Sequence, residues 1–388
     1  MPAHSHAAAR ISLQIALTVT STALIYFAVG LPLAVLPGWV HHELGYSAVI
    51  AGAAISVQYV ATIVSRGLVG PMTDVLGAKV SILVGFSCCL ASGLAGMAAP
   101  ALAARAGEAL AVLFLSRIML GFGESMIGTG AITWAIGRVG AEHTAQVISW
   151  NGIATYAAIA LGAPIGTLLY AMDGMNAIGV ALAVIGLAGL AFTMPQPRTR
   201  VLVAKRLPFR AVFLRVVPYG AILALGAIGF GVISAFIALY YTSRGWGGVW
   251  MALSAFGIGF VLARILFVGS IARHGGLRVA GVFLTLESLG LFLVWAAPWS
   301  WLAVVGAGAS GFGFALIFPA LGLIVVDLVP PQNRGSAIGA YSMFTDVALC
   351  ATGPVAGVLA THGGYGAPLR IPTMPAGYSE LIPATIPI

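Results

Sequence analysis

A chain of 388 residues with 60% hydrophobic and 7% charged side chains is not a soluble globular protein, because soluble domains carry about 25% charged residues. Lipid has to be the solvent for most of it. The net charge of +8 does not point to nucleic acid, since the bases stand in short segments between apolar runs, with no basic patch interleaved with aromatics, and there they set topology and meet lipid headgroups.

A bilayer crossing takes about 20 apolar residues, and eleven runs meet that need: 13–39, 48–69, 80–99, 109–136, 147–170, 177–194, 219–241, 249–268, 279–297, 301–326 and 337–360. The first follows Arg10 and exceeds the 7–15-residue core of a cleavable signal, so it reads as a first spanning helix. With the N-terminus in the cytoplasm, 14 Lys and Arg fall on that side, Arg66 and Arg264 among them, against Arg105, Arg244 and Arg370 on the other, with Arg117 inside the membrane. That is the expected bias of a multi-pass membrane protein.

The fourth run carries Arg117, Gly121 and Glu124, spaced to share one helix face, with the two charges about 10 Å apart along the axis. A charge that deep costs about 2.5–3.5 kcal/mol, so it should face a wet cavity or a partner. The fifth run holds Gly162, Pro164 and Gly166, and the eleventh holds Gly353, Pro354 and Gly357. Proline removes a backbone donor and bends the helix, and glycine permits close approach; ordinary close packing would use the same residues. The ninth run contains Glu287, expected to be protonated and hydrogen-bonded between helices. The eleventh contains Asp346 beside Tyr341, Ser342 and Thr345, read either as a second coupling site or as the partner of Arg66 or Arg264. Tyr26, Gln58, Tyr59, Asn151, Tyr156 and Ser234 are candidate cavity-lining residues, each of which would also serve as a helix–helix hydrogen bond.

Segment 195–217 carries six bases, no acid, and Pro195, Pro197 and Pro208. It divides the chain into a six-helix half (1–194) and a five-helix half (218–364). The halves repeat. Gly70, Gly77 and Lys79 after the second run recur as Gly269, Gly276 and Arg278 after the eighth, at an offset of 199. Gly121-Phe-Gly123 recurs as Gly311-Phe-Gly313, and Pro164 as Pro354, both at an offset of 190. Two parallel repeats related by an axis along the membrane normal are a transporter architecture.

These residues resemble the major facilitator superfamily over about 13–364. Within it, Gly30-Leu-Pro-Leu-Ala-Val-Leu-Pro37, Val147-Ile-Ser-Trp-Asn-Gly152 and Phe318-Pro-Ala-Leu-Gly322 resemble the bacterial YhhS/YfcJ group of permeases. The resemblance implies an all-α bundle of two pseudo-symmetric six-helix halves, with the third, sixth, ninth and twelfth helices outside. It implies a gating loop of Gly70, Asp74, Gly77 and Lys79, in which Asp74 latches one state of the cycle; Val75 and Ala78 replace two of the family's bases there. It also links the arginine of the fourth helix to proton coupling or to substrate charge. On that basis Glu124 binds and releases a proton while Arg117 biases it or holds an anionic group; the alternative is a static salt bridge between the two. The Gly162–Gly166 stretch is similar to that of proton-exchanging exporters, with Ala163 interrupting the usual Gly-Pro.

The expected function is secondary transport of a small organic solute by alternating access, as proton-coupled efflux from a monomer in the lipid bilayer. Proton-coupled uptake of a sugar or organic anion is the alternative. No cofactor is expected. Cys88, Cys89 and Cys350 lack metal spacing, and the seven histidines lie outside the apolar runs, so no metal is expected either. A membrane enzyme would need paired acids or a His/Cys set that no helix offers, and a receptor would need a folded soluble domain. Five prolines between 368 and 387 exclude a twelfth spanning helix from the 365–388 tail. The expectation is therefore a truncated or frame-shifted C-terminus, which leaves a non-functional remnant as a further alternative.

Overall fold

The computed structural model describes residues 2–140, 143–198, 208–267, 269–330 and 334–363. The Pro-rich tail, with the expected loss of a twelfth helix, lies outside the described residues, as do 199–207 of the linker.

Helices form nearly all of the described chain, and no strand occurs among the described residues. Before the linker come α1 (Pro2–Gly30), a short α2 (Leu36–Gly38) leading into a π-helical turn (Trp39–Glu43), α3 (Ala48–Leu76), α4 (Ala78–Ala101), α5 (Ala106–Val139) and α6 (Thr144–Thr193). After it come α7 (Phe209–Ser243), α8 (Val249–Phe267), α9 (Ser270–His274), α10 (Gly276–Ala296), α11 (Ser300–Phe314), α12 (Ile317–Asp327) and α13 (Arg334–Gly363). Nine helices among the described residues are long and apolar enough to cross a bilayer, and Gln14–Gly30 is a shorter apolar helix. One of the nine, Gln146–Thr193, has 48 residues and is broken by non-helical Asp173 and Gly174, the latter at φ 57°. This separates the runs expected at 147–170 and 177–194.

Two expected spans are corrected. The run 13–39 is not one helix: α1 stops at Gly30, because Pro32 has no N–H to return to the chain behind it. The run 301–326 divides between Phe314 and Ile317. There Pro319 cannot donate to Ala315, whose carbonyl is left free for another partner.

The repeat also shifts by one residue. Gly77 (φ 90°, ψ 152°) and Gly275 (φ 82°, ψ 148°) each turn the chain between successive helices, in nearly one conformation, and only glycine enters that region without strain. Gly77 therefore corresponds to Gly275 rather than to Gly276. The offset of 198 also pairs Ser56 with Ser254 and Arg66 with Arg264.

Helices before the linker pack mainly on one another, and so do those after it. Two main seams join the sets, α3 against α13 and α6 against α8, with smaller contacts of α7 with α2 and α3. α4 and α10 remain within their own sets, and they present Leu94, Val282, Leu289 and Phe292 outward. Apolar side chains of that size on the outside of a polytopic bundle meet lipid. The face where α1 ends and α3 begins is called the far face below, and the opposite one the linker face.

Candidate substrate and coupling site

Glu124 lies near the middle of α5 and is buried. Its Oε2 accepts a hydrogen bond from Gln58 Nε2 of α3 at 2.5 Å. Gly121 makes the pairing possible: a Cβ there would overlap the Gln58 carbonyl, so α3 and α5 touch backbone to backbone at that level. Thr62 completes the contact, its hydroxyl donating to the Gln58 carbonyl at 3.1 Å and the Gly121 carbonyl at 3.3 Å.

Arg117 is buried on the same helix but forms no ion pair with Glu124. The ion pairs among the described residues are Arg66 with Asp346 and Arg105 with Glu108. Arg117 borders a cavity of about 20 Å³ with Pro32, Leu36, Ser116 and Met175, and its Nε has no partner. The salt-bridge alternative for these two residues is thus not what the structure holds.

Asp346 of α13 accepts from Arg66 Nε of α3, joining the two sets. The Tyr26 hydroxyl of α1 reaches α5 one turn beyond Glu124, 3.9 Å from where a Cβ at Gly128 would stand, and Tyr59 is buried next to Gln58 on α3. One polar cluster thus runs from α1 through α3 and α5 to α13. Tyr156 of α6 connects it to an aromatic group. Its ring stacks on Phe260 at 3.7 Å between centroids and stands 5.7–6.3 Å from Phe230, Phe256 and Phe314.

Other predicted residues are engaged elsewhere. Asn151 Oδ1 accepts from Thr22 at 2.6 Å, tying α6 to α1. Ser234 donates back to Gly231 of its own helix at 3.1 Å. Lys79 donates to the carbonyls of Met194 and Gln196, both at 2.6 Å, closing the C-terminal end of α6, where a cation is favoured. Gly70 and Asp74 lie in the last turns of α3, and their side-chain surroundings lie outside the described residues.

The bending residues act through packing. Cβ atoms at Gly162 and Gly166 would overlap the backbone of Gly30 and Leu31, so the end of α1 lies directly on α6. Pro164 frees the Ala160 carbonyl, which accepts from Ser254 of α8 at 2.7 Å. Gly353 meets the Gly52 carbonyl and Gly357 meets Val49, while Ser56 donates to the Leu349 carbonyl at 3.2 Å. Pro354 sits inside α13 beside this seam. At the far face, a cavity of about 350 Å³ opens between the sets, lined by Val35, Trp39, Glu43, Tyr170, Tyr241 and Trp246. Tyr170 donates to Glu43 at its edge.

Glu287 of α10 departs from expectation. It is buried, and neither carboxylate oxygen has a hydrogen-bond partner; it stands against Gly226 and Gly229 of α7. Arg264, expected among the bases of the cytoplasmic side, is instead 3% exposed. Its Nε donates at 2.8 Å to Ala315, the carbonyl that Pro319 leaves free, and its guanidinium lies 5.1 Å from the Phe260 ring centre. The only sequence signal for this was the proline four residues beyond Ala315.

The profile of the Major Facilitator Superfamily matches residues 18–274 and 250–376. The chain belongs to this superfamily. It is 50% identical over 359 residues to an uncharacterised MFS-type transporter of Burkholderia mallei (strain SAVP1), covering 91% of this chain and 87% of that one. It is 49% identical over 364 residues to another from Pseudomonas aeruginosa (strain LESB58), with 94% and 90% covered. Solved superfamily members share the fold. The xylose transporter XylE from E. coli, in an inward-open conformation, superposes with a TM-score of 0.75 at 12% identity, covering 94% of each chain. The human organic anion transporter MFSD10 (TETRAN) gives 0.71 at 15% identity, with 94% and 97% covered. The protein is therefore a multi-pass membrane transporter of this superfamily and not an enzyme. The narrower likeness to the YhhS/YfcJ permeases rests on the sequence stretches alone.

Proposed function

We propose that the protein moves a small organic solute across a bacterial inner membrane by proton-coupled efflux, as a monomer with its N-terminus in the cytoplasm. The observation that carries the coupling is the setting of Glu124: a buried carboxylate held by neutral Gln58 rather than by Arg117. A carboxylate locked to an arginine stays charged, whereas one held by an amide is free to take up and lose a proton as its surroundings alternate between wet and dry. The two seams supply the moving parts, since rocking of one set against the other about them opens the central cluster to each face in turn. Asp346, locked to Arg66, then serves as a link between the sets rather than as a second coupling group. The outward direction rests on the likeness of the Gly162–Gly166 stretch to exporters.

The test is proton movement in proteoliposomes. A pH-sensitive dye inside the vesicles is followed on adding candidate solutes, with wild type beside Glu124→Gln. Solute-dependent proton movement in wild type that vanishes in the variant supports the reading. Equal movement in both removes Glu124 from the coupling. The sign of the pH change against the solute gradient separates efflux from uptake.

A further inference from the structure

The two seams carry matching bonds, with one exception. Ser56 and Ser254 are equivalent, and each donates across its seam to a carbonyl, of Leu349 and Ala160 respectively. Arg66 and Arg264 are equivalent in the same register. Arg66 meets Asp346 of α13. The position equivalent to Asp346, at the offset that relates Pro354 to Pro164, is Tyr156. At the second seam the arginine is present and the carboxylate is missing.

Arg264 shows the consequence. With Nε bonded to Ala315, its Nη1 is buried and has no partner. A buried guanidinium without a counter-charge is costly, and the bond from Nε to Ala315 meets only one of its donors. Gly152 of α6, one turn before Tyr156, leaves bare backbone beside it: a Cβ there would come 3.0 Å from Nη1 and 3.2 Å from Nη2. Phe260 lies under the guanidinium, and Tyr156 stacks on Phe260.

We propose that the missing carboxylate belongs to the transported solute: an organic monoanion whose carboxylate is bound by Arg264 beside Gly152, with a planar apolar body lying against Tyr156 and Phe260. This deepens the transport reading above and rests on it. A guanidinium fork matches a carboxylate in geometry and charge, and a flat ring gains about 0.5–1.5 kcal/mol from an aromatic face. A neutral sugar would leave Arg264 unpaired. The asymmetry has a mechanical meaning: the α3–α13 seam carries its own ion pair, whereas the α6–α8 seam acquires one when solute is bound, so loading favours the state in which that seam is closed.

The experiment uses the full chain in detergent and reads the thermal unfolding midpoint against concentration of benzoate and 4-hydroxybenzoate, with benzamide and 4-hydroxybenzamide as neutral isosteres. The expected result is a concentration-dependent rise with the acids and none with the amides. Arg264→Gln weakens the apparent affinity for the acids at least about tenfold, the equivalent of about 1.4 kcal/mol. Gly152→Asp, which places a carboxylate of the chain itself beside Arg264, abolishes the response while the ligand-free midpoint holds or rises, and this variant decides the matter alone if Arg264→Gln fails to fold. Equal responses to acids and amides, no response to either, or a response that survives both substitutions overturns the proposal. Protons play no part in this assay. Acid binding through Arg264 without proton movement in vesicles would sink the coupling role of Glu124 and leave this site standing; solute-driven proton movement indifferent to Arg264→Gln would do the reverse.

Discussion

Arg66 of α3 and Asp346 of α13, 280 residues apart in the chain, form an ion pair that joins the helices before the linker to those after it. Removing one member strands the other, and the cost for a buried pair is about 3–5 kcal/mol. Because the Arg66 side chain is 24% accessible, Asp346→Asn is expected at the low end, about 3 kcal/mol, read as a lowered unfolding midpoint in detergent. The exchange variant Arg66→Asp with Asp346→Arg should regain most of that loss. A single substitution without effect would show that the pair contributes nothing to holding the sets together.

Gln58 provides the hydrogen bond to Glu124, and a bond to a charged group contributes about 1.5–3 kcal/mol. Gln58→Leu is therefore expected to reduce coupled transport at least about tenfold while the protein remains folded. Gln58→Asn, one methylene shorter, should fall between the two. Initial rates of proton movement in proteoliposomes measure this. Unchanged rates in Gln58→Leu would remove the amide from the mechanism.

Two glycines of α5 make opposite predictions. A Cβ at Gly121 would strike the backbone of α3, whereas at Gly128 the nearest atom is the Tyr26 hydroxyl at 3.9 Å. Backbone cannot yield as a side chain can, so Gly121→Ala should destabilise by about 1–3 kcal/mol. Gly128→Ala should be neutral or stabilising by up to about 1 kcal/mol, since alanine is the better helix former. Unfolding midpoints of the two variants, compared side by side, decide.

How far these contacts were legible in the sequence depended on where the partner lay. The apolar runs came directly from composition. So did the buried acids and Arg117, because a charge inside such a run has no alternative place to be. The breaks at Gly30 and Phe314 were written in Pro32 and Pro319, which the hydrophobic signal overrode because these residues lie inside unbroken apolar stretches. Arg264 was misread for a different reason. It stands near the end of its run, as a surface base would, and only the approach of α6 and of the chain between α11 and α12 makes it interior. The Gln58–Glu124 bond joins different helices and has no local signature. The one-residue error in the repeat arose because two adjacent glycines, Gly275 and Gly276, offer the same letter, and only the backbone angles distinguish them.

Glu287 is buried without a partner for either oxygen. Leaving a polar group unsatisfied costs about 1–3 kcal/mol, and the side chain lies on the glycine seam of α7. Glu287→Leu should therefore raise the unfolding midpoint. Transport by that variant distinguishes an unused acid, which leaves the rate intact, from an acid that the cycle requires, which does not.

At the far face, Gly52 of α3 and Gly353 of α13 bring the main chains of the two sets into direct contact, with the Ser56 and Phe236 side chains beside them. Such a joint works as a door without a gasket: its fit depends on the thickness of a single side chain. A large residue there would be a doorstop. Gly353→Trp should hold the far mouth ajar while leaving the linker face untouched, trapping one shape out of the transport cycle. Purified in that form, the protein would offer a single conformer against which shape-specific antibody fragments could be raised.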